Sequence, residues 1–388
     1  MPHICHRARY SDGVKADLTL LPRLAQVAAA HGDLTWRYAA TAGSAVAAWL
    51  AFYGLVRGWQ GLDRVLAPGY RDERLEKPIF ILANPRSGTT FLHRLMSLDP
   101  QFRSLALYET VLPSGLLMRV LRRLSSLDAA VGRPAGRLLS GAERVLFGGW
   151  KGIHRIRFDQ PEEDEMLFLY ALRSPALMLL HPAMAEVPEL RRPDDLPEAE
   201  RARLRHDLRG VLLRHAWAAD GHGPLLAKNA LAAGRLHLYR EVAPDMRVIV
   251  LLRHPYEAIP SMVSMFSRPW RFFQPDWEHD EAHLRRIAEL GCEYYRAVDA
   301  FARELPEEQV VELYYDDLIA DPEAAVAGIY DRFGLTLSPE FAAQLHAEAT
   351  RARSYRSRHR YDLEAMGLSE AWIRERLGGV FERRRFAA

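Results

Sequence analysis

Residues 78–92 read Pro-Ile-Phe-Ile-Leu-Ala-Asn-Pro-Arg-Ser-Gly-Thr-Thr-Phe-Leu, and the fold follows from how that stretch is parsed. Ile79 to Ala83 is an unbroken apolar run directly after a proline. It is too short for a helix and lacks polar alternation, so it reads as a strand buried on both faces, the mark of a parallel sheet. A loop from Asn84 to Gly88 follows, then an amphipathic helix from Thr89 to Leu98. Gly88 lets the backbone turn and approach an anion closely. The amides of Gly88, Thr89 and Thr90 then face that anion, aided by the field at the helix N-terminus. Ser87 and the two threonines add hydroxyls, and Arg86 adds a charge-assisted hydrogen bond. The plainer reading is a capped strand-to-helix turn carrying a surface arginine.

Working outward, the same punctuation recurs. Pro224 to Ala227 reads as a short strand ending at Lys228, and Arg247 to Leu252 is the strongest strand in the chain. Val310 to Tyr314 is another, and Leu105–Tyr108 reads as a further one. Helical patterns lie between them, over 15–66, 114–150, the stretch opening at Pro161, 200–220, and after Pro255 and Pro322. Strands of four to six apolar residues alternating with helices predict an α/β fold, a P-loop-like three-layer sandwich whose central parallel sheet is flanked by helices. An N-terminal helical extension over residues 1–70 precedes the main domain at 71–388. In such sheets the ligand lies at the carboxyl ends of the strands.

A second anion site follows the strongest strand. Arg253 begins Arg-His-Pro-Tyr-Glu-Ala, and Ser261 stands eight residues on, in the next helix. An arginine at a strand end and a serine in the following helix can converge on one anion. An arginine and serine that merely cap a helix would look the same taken alone.

Together these motifs carry a family resemblance. Pro85 to Leu92 resembles the 5′-phosphosulfate loop of the sulfotransferases that use 3′-phosphoadenosine 5′-phosphosulfate (PAPS). Arg86, where cytosolic members have lysine, is similar to the tyrosylprotein and bacterial branches. Arg253 with Ser261 is similar to the family's 3′-phosphate motif. Tyr314-Tyr315-Asp316-Asp317-Leu318 looks like its Tyr-Glu-Asp-Leu segment, whose tyrosine lies near adenine, and this implicates Tyr315. Leu66 to Tyr70 and Arg360-Tyr361 to Leu368 echo the bacterial branch. The resemblance implies a PAPS-dependent sulfotransferase that moves a sulfuryl group to an acceptor hydroxyl by in-line displacement.

Such chemistry is mostly positioning and charge stabilisation. Lys228 matches the family's catalytic lysine in position, and beyond residue 20 the chain has only Lys77, Lys151 and Lys228. The histidine that cytosolic relatives carry just after that lysine is missing, since Asn229-Ala230 stands there. Two replacement bases compete. Glu109 looks like the glutamate of the tyrosylprotein branch, and His154, ahead of Gln160 to Glu165, is similar to the bacterial branch. Arg86 nearby would lower a carboxyl pKa, which counts against Glu109; placement after a strand favours it. Glu163 and Asp164 read as helix-start charges or arginine partners.

Composition narrows the rest. Lys plus Arg number 52 against 50 Asp plus Glu, a balance that gives no reason to expect nucleic acid. Cys5 and Cys292 form no disulfide framework, and no ligand-spaced cluster calls for a metal. Residues 1–35 lack the apolar core of a signal peptide, so the expected location is cytoplasmic. Tyr38 to Val56 runs 19 residues without a charge, flanked by Arg37 and Arg57 with Trp36 and Trp59 beyond. Length allows a bilayer span, a helix lying on the membrane surface, or a buried core or homodimer helix. Attachment through residues 36–59 is the membrane reading. Met262, Met265, Phe266, Trp270, Phe272, Phe273 and Trp277 line an acceptor pocket or form core. With the apolar run they tilt the expected acceptor toward a lipid or other hydrophobic small molecule. A P-loop phosphotransferase, which should carry a Walker lysine, and a nucleotide-binding relative without transferase activity are the competing classes.

Overall fold

The computed structural model describes residues 13–31, 35–134, 136–137, 160–219, 223–273, 281–352 and 363–386. Helices α1 (Leu20–Ala30) and α2 (Trp36–Leu66) lead into strand β1 (Ile79–Ala83) and helix α3 (Thr89–Met96). Strand β2 (Arg103–Ser104) is followed by helices α4 (Leu107–Val111), α5 (Gly115–Ala130), α6 (Glu165–Tyr170) and α7 (Glu198–Ala218). Then come β3 (Leu225–Lys228), α8 (Leu236–Val242), β4 (Arg247–Leu252), α9 (Pro255–Phe273), α10 (Glu281–Glu304) and β5 (Val310–Tyr314). Helices α11 (Tyr315–Ala320), α12 (Pro322–Phe333), α13 (Pro339–Ala352) and α14 (Glu370–Arg383) close the chain.

The five strands form one parallel sheet in the order β2-β3-β1-β4-β5. Side chains alternate across a strand with period two, so each apolar run feeds two cores. Phe80, Leu82, Leu225, Ala227, Val248 and Val250 pack with α7, α8, α9, α10 and α14 on one face. Ile79, Ile81, Ala83, Leu226, Ile249 and Leu251 pack with α3, α12 and α13 on the other. Those two cores are the interfaces between the layers of a three-layer α/β sandwich.

The chain leaves β1 through α3 on one face toward β2, and leaves β4 through α9 and α10 on the opposite face toward β5. Right-handed crossovers in opposite directions put helices on opposite faces. They also open a crevice where the strand order reverses, here between the carboxyl ends of β1 and β4.

The expected strand at Leu105–Tyr108 is displaced. The ladder takes Arg103–Ser104, and the chain turns helical at Leu107 because the Glu109 carboxylate accepts from the Ala106 amide at 3.0 Å. Such a bond back to the start of a helix satisfies an orphan amide and fixes the turn.

The N-terminal helices are built onto the domain, not set apart from it. Leu20, Leu24, Tyr38 and Val56 belong to the same core as β1 and β4. Along one stripe of α2, Trp49 donates to the Leu169 carbonyl at 3.1 Å, and Gln60 donates to the Pro113 carbonyl at 3.0 Å. Asp63 accepts from the Gly115 and Leu116 amides at 3.0 and 2.9 Å and pairs with Arg214 at 2.9 Å. It thereby places a carboxylate at the N-terminus of α5, where the helix field favours it. The opposite stripe, with Leu50, Leu55, Leu62 and Val65, is exposed. By length and composition α2 is apolar enough to cross a membrane.

Candidate active site

The loop after β1 is held in a left-handed bend, with φ of 72° at Arg86 and 91° at Gly88. A bend of that kind gathers successive amides into an anion-binding concavity. The first helical hydrogen bonds of α3 are donated by Phe91 and Leu92 to the Gly88 carbonyl, so the preceding amides lie outside the helix ladder. Thr89 is buried and Thr90 half-buried at this mouth. Ser87 is fully buried near the Tyr295 hydroxyl, and its Oγ makes no hydrogen bond of ordinary geometry. Such a hydroxyl is costly unless something completes its bonding. Position 88 tolerates only glycine: a Cβ there would stand 2.7 Å from the Tyr315 ring.

The two expected anion motifs meet in space. Arg86 Nε donates to Ser261 Oγ at 3.2 Å, a contact between residues 175 apart in sequence. Arg253 Nη1 donates to the Arg86 carbonyl at 2.8 Å, and its guanidinium stands 4.6 Å from the centre of the Tyr315 ring. The register explains the meeting, because Ala83 pairs with Leu251 and Leu252 with Tyr314. Arg86, Arg253 and Tyr315 therefore leave three adjacent strands on one edge. Arg253 also pairs with the exposed Glu257 at 2.8 Å, a partner that an incoming phosphate can replace.

Lys228 ends β3 on the same edge, one strand to the other side of β1. Its side chain is completely buried, and Nζ donates to Glu162 Oε1 and Glu163 Oε1, each at 2.9 Å. Burial alone would lower the ammonium pKa, but the charges of Glu163 and Glu162 outweigh it and the net shift is upward. Beside it, His93 on α3 is held at about 3 by burial and by the Lys228 charge, so the imidazole is neutral. Glu163 was expected to start a helix or pair with arginine; it serves the lysine instead. Nothing local in the sequence marks this pairing, because 65 residues separate the partners. Next to it, Asn229 donates to Asp164 at 2.5 Å and to Glu165 at 2.9 Å, and the Tyr239 hydroxyl donates to Asp164 Oδ2 at 2.7 Å. Residue 229 thus ties β3 to the acidic segment, and Ala230, where the family resemblance led to the expectation of a base, carries no proton acceptor in its side chain.

Glu109 is buried away from this traffic. Oε1 accepts from Arg122 at 2.6 Å and from the Tyr108 hydroxyl at 3.0 Å, while His215 Nδ1 lies 3.2 Å from Oε2. Burial pushes its pKa up, but the bonds and charges of His215 and Arg122 and the Ala106 amide prevail and hold it at about 2. A carboxylate so satisfied is a poor proton acceptor at neutral pH. The expectation that Glu109 is the base gives way to a role as a buried anchor between α4, α5 and α7. His154 lies outside the described residues.

Met262, Phe266 and Trp270 are fully buried in the core, and Trp270 Nε1 donates to the Met178 carbonyl at 2.7 Å. They are packing, not a pocket wall. The side chains of Phe272 and Phe273, and Trp277, lie outside the described residues, as do Arg360 and Tyr361 of the bacterial-branch echo.

Known proteins share this fold and much of this sequence span. A sequence profile of the sulfotransferase family matches residues 78–339, the span from β1 to the start of α13. The omega-hydroxy-beta-dihydromenaquinone-9 sulfotransferase Stf3 of Mycobacterium bovis is 25% identical over 294 residues, 73% of this chain and 70% of its own length. Among solved structures, the sulfotransferase STF9 from Mycobacterium avium superposes with a TM-score of 0.68 at 18% identity, over 85% of this chain and 82% of the other. The sulfotransferase STF1 from Mycobacterium tuberculosis gives 0.57 at 22% identity, over 95% and 100%.

Proposed function

Because the chain belongs to the sulfotransferase family, we propose that it takes its sulfuryl group from PAPS and delivers it to the hydroxyl of a lipid or similarly hydrophobic alcohol. The Arg86–Ser261 contact carries the nucleotide half of this reading, because it joins two anion grips at the strand-order reversal. Such a pair suits one nucleotide phosphorylated at both ends of its ribose. The loop amides, Ser87, Thr89, Thr90 and Arg86 would hold the phosphosulfate. Arg253 and Ser261 would hold the 3′-phosphate, with Tyr315 beside the base. The buried Ser87 hydroxyl and the side-chain-free cradle at Gly88 fit that occupant.

Lys228 would stabilise negative charge on the bridging oxygen as the S–O bond to the phosphate breaks. The acceptor oxygen attacks sulfur in line, and its proton passes to a carboxylate or to solvent. Products are the sulfate ester and adenosine 3′,5′-bisphosphate.

The hydrophobic acceptor is supported by the kinship with a menaquinone-lipid sulfotransferase and by α2. With Trp49, Gln60 and Asp63 tied to the domain, α2 would have to tear those bonds to cross a bilayer. Its exposed stripe suits a helix lying on the membrane surface.

Calorimetry with adenosine 3′,5′-bisphosphate tests the nucleotide assignment. Micromolar binding by folded protein is expected, and no heat of binding at millimolar nucleotide would end it.

A further inference from the structure

Two carboxylates on one buried ammonium exceed what neutrality requires. Lys228 needs one counter-charge; Glu162 and Glu163 supply two, leaving the trio at net −1. One carboxylate suffices to pair the ammonium, so the second keeps acceptor sites beyond that pairing. The two carboxylates are not equivalent. Glu162 Oε1 accepts from both Lys228 and the Glu163 amide, the latter at 3.0 Å. Glu163 Oε1 accepts from Lys228, and among the described residues its Oε2 takes no hydrogen bond. The carboxylate with fewer donors keeps a lone-pair site open to an incoming hydroxyl.

Position favours Glu163 as well. Lys228 is 0% exposed, whereas the Glu162 and Glu163 side chains are 18% and 22% exposed, so the carboxylates stand between the ammonium and solvent. An acceptor hydroxyl arriving from outside meets them first. Their backbone is pinned, since Pro161 bridges to Ala106 and the Glu162 amide donates to the Leu105 carbonyl at 2.8 Å. Rigid support is what a proton acceptor needs to hold its geometry. Among the described residues, two further titratable groups at this corner are committed: Asp164 to Asn229 and Tyr239, and His93 to the Leu226 carbonyl at 3.3 Å.

We propose that Glu163 is the catalytic base of the transfer and that Glu162 is the positioning residue that keeps Lys228 in place. The assignment rests on the sulfotransferase reading above. As the acceptor O–H bond breaks, its proton goes to Glu163 Oε2 and its electron pair forms the new O–S bond. The S–O bond to the phosphate breaks, and that electron pair leaves with the bridging oxygen. Protonation neutralises Glu163 just as charge grows on the leaving group. Lys228 is then released from one of its two carboxylates when the bridging oxygen needs it. The proton is later lost to solvent.

The test uses the full chain with sulfur-35 PAPS, and farnesol in detergent micelles or, without farnesol, water as the nucleophile. Glu163→Gln should lower kcat by about 10²–10⁴-fold, the usual contribution of a general base. It should remove the acid limb of the pH–kcat profile and leave bisphosphate affinity within about threefold, since an acid–base role does not govern ground-state binding. Glu162→Gln should cost less and keep the acid limb. Glu163→Asp, which retains the charge should the amide variant fold poorly, should recover part of the rate. A Glu163→Gln enzyme within about threefold of wild-type kcat with its acid limb intact would overturn the assignment, as would loss of that limb in Glu162→Gln instead. A wild-type chain that failed to bind the bisphosphate would sink the sulfotransferase reading itself, and these variants would not be what exposed it.

Discussion

The two halves of the sheet edge are built on opposite electrostatic plans. At the ends of β1 and β4, Arg86 bonds a serine hydroxyl, and one branch of Arg253 bonds a carbonyl. Neither contact cancels charge, and the carboxylate that pairs Arg253, Glu257, is exposed, where an incoming anion can take its place. At the end of β3, one lysine meets two carboxylates, with Asp164, Glu165 and Arg235 behind them. That half is saturated with acid. In the reading proposed above, the arginine half binds the anion and the carboxylate-rich half handles the proton. The division of labour follows from which partners each cation has, and it can be broken from either side.

The largest effect is expected at Lys228. Lys228→Ala removes the cation nearest the proposed leaving oxygen, and turnover should fall on the order of 10³-fold, as when a preorganised charge-stabilising group is deleted. Because the anion grips lie on the other half, affinity for adenosine 3′,5′-bisphosphate should stay within a few-fold of wild type. Labelled-sulfate transfer and calorimetry on the same preparation check both. An affinity loss as large as the rate loss would mean that Lys228 is a third anion grip, and the contrast between the halves would fail.

Next comes the acid side. Burial raises Asp164 to about 6, against the partial relief given by Asn229, Arg235 and Tyr239. The folded chain therefore holds this proton more tightly than the unfolded chain does. The stability so conferred is fully present below the unfolded pKa near 4 and is lost as pH rises through about 6. The change is on the order of 3 kcal/mol for a shift of roughly two units. Asp164→Asn keeps an acceptor for Asn229 and should flatten that part of the profile. Thermal melts from pH 4 to 8 should show the variant gaining on wild type as pH rises. Asp207, raised to about 7 by burial, adds a slope of the same sign to both proteins, so the difference between them is the informative quantity. Equal slopes would mean that Asp164 is ionised throughout.

The contrast also explains what could be read in advance. Arg86, Gly88, Arg253 and Tyr315 each lie just after a strand in sequence, so their place at one sheet edge was legible from an apolar run and the residues after it. Four of the five strands were legible for the same reason, because Ile79–Ala83 and Val248–Leu252 feed both cores without a polar break. The acid half is assembled across distance. Glu163 reaches Lys228 over 65 residues, and the misread Glu109 is fixed by Arg122 and by His215, which lies on α7. Sequence spacing says nothing about such partners. The one available signal was stoichiometric: four consecutive acids at 162–165 after a proline, in a chain whose few lysines include one at a strand end. Leu105–Tyr108 was misread because its apolar pattern suits a strand, and only the bond from the Ala106 amide to Glu109 turns it helical.

The smallest effects separate the members of the anion half. Arg253→Ala deletes a charged donor, and bisphosphate affinity should weaken by about 10–100-fold, the range for a charge-assisted hydrogen bond. Part of the loss is masked in the free protein, where Glu257 already holds the guanidinium and must be displaced by phosphate. Ser261→Ala deletes a neutral hydroxyl whose partner, Arg86, keeps its charge, so a loss of only about three- to tenfold is expected. In both variants kcat at saturating PAPS should stay close to wild type, because binding lost equally from ground and transition states moves KM alone. If Ser261→Ala cost as much as Arg253→Ala, the serine would be doing more than donating to an anion. Its bond to Arg86 would then be what holds the first loop in its left-handed bend, and the two grips would have to be treated as one cooperative unit.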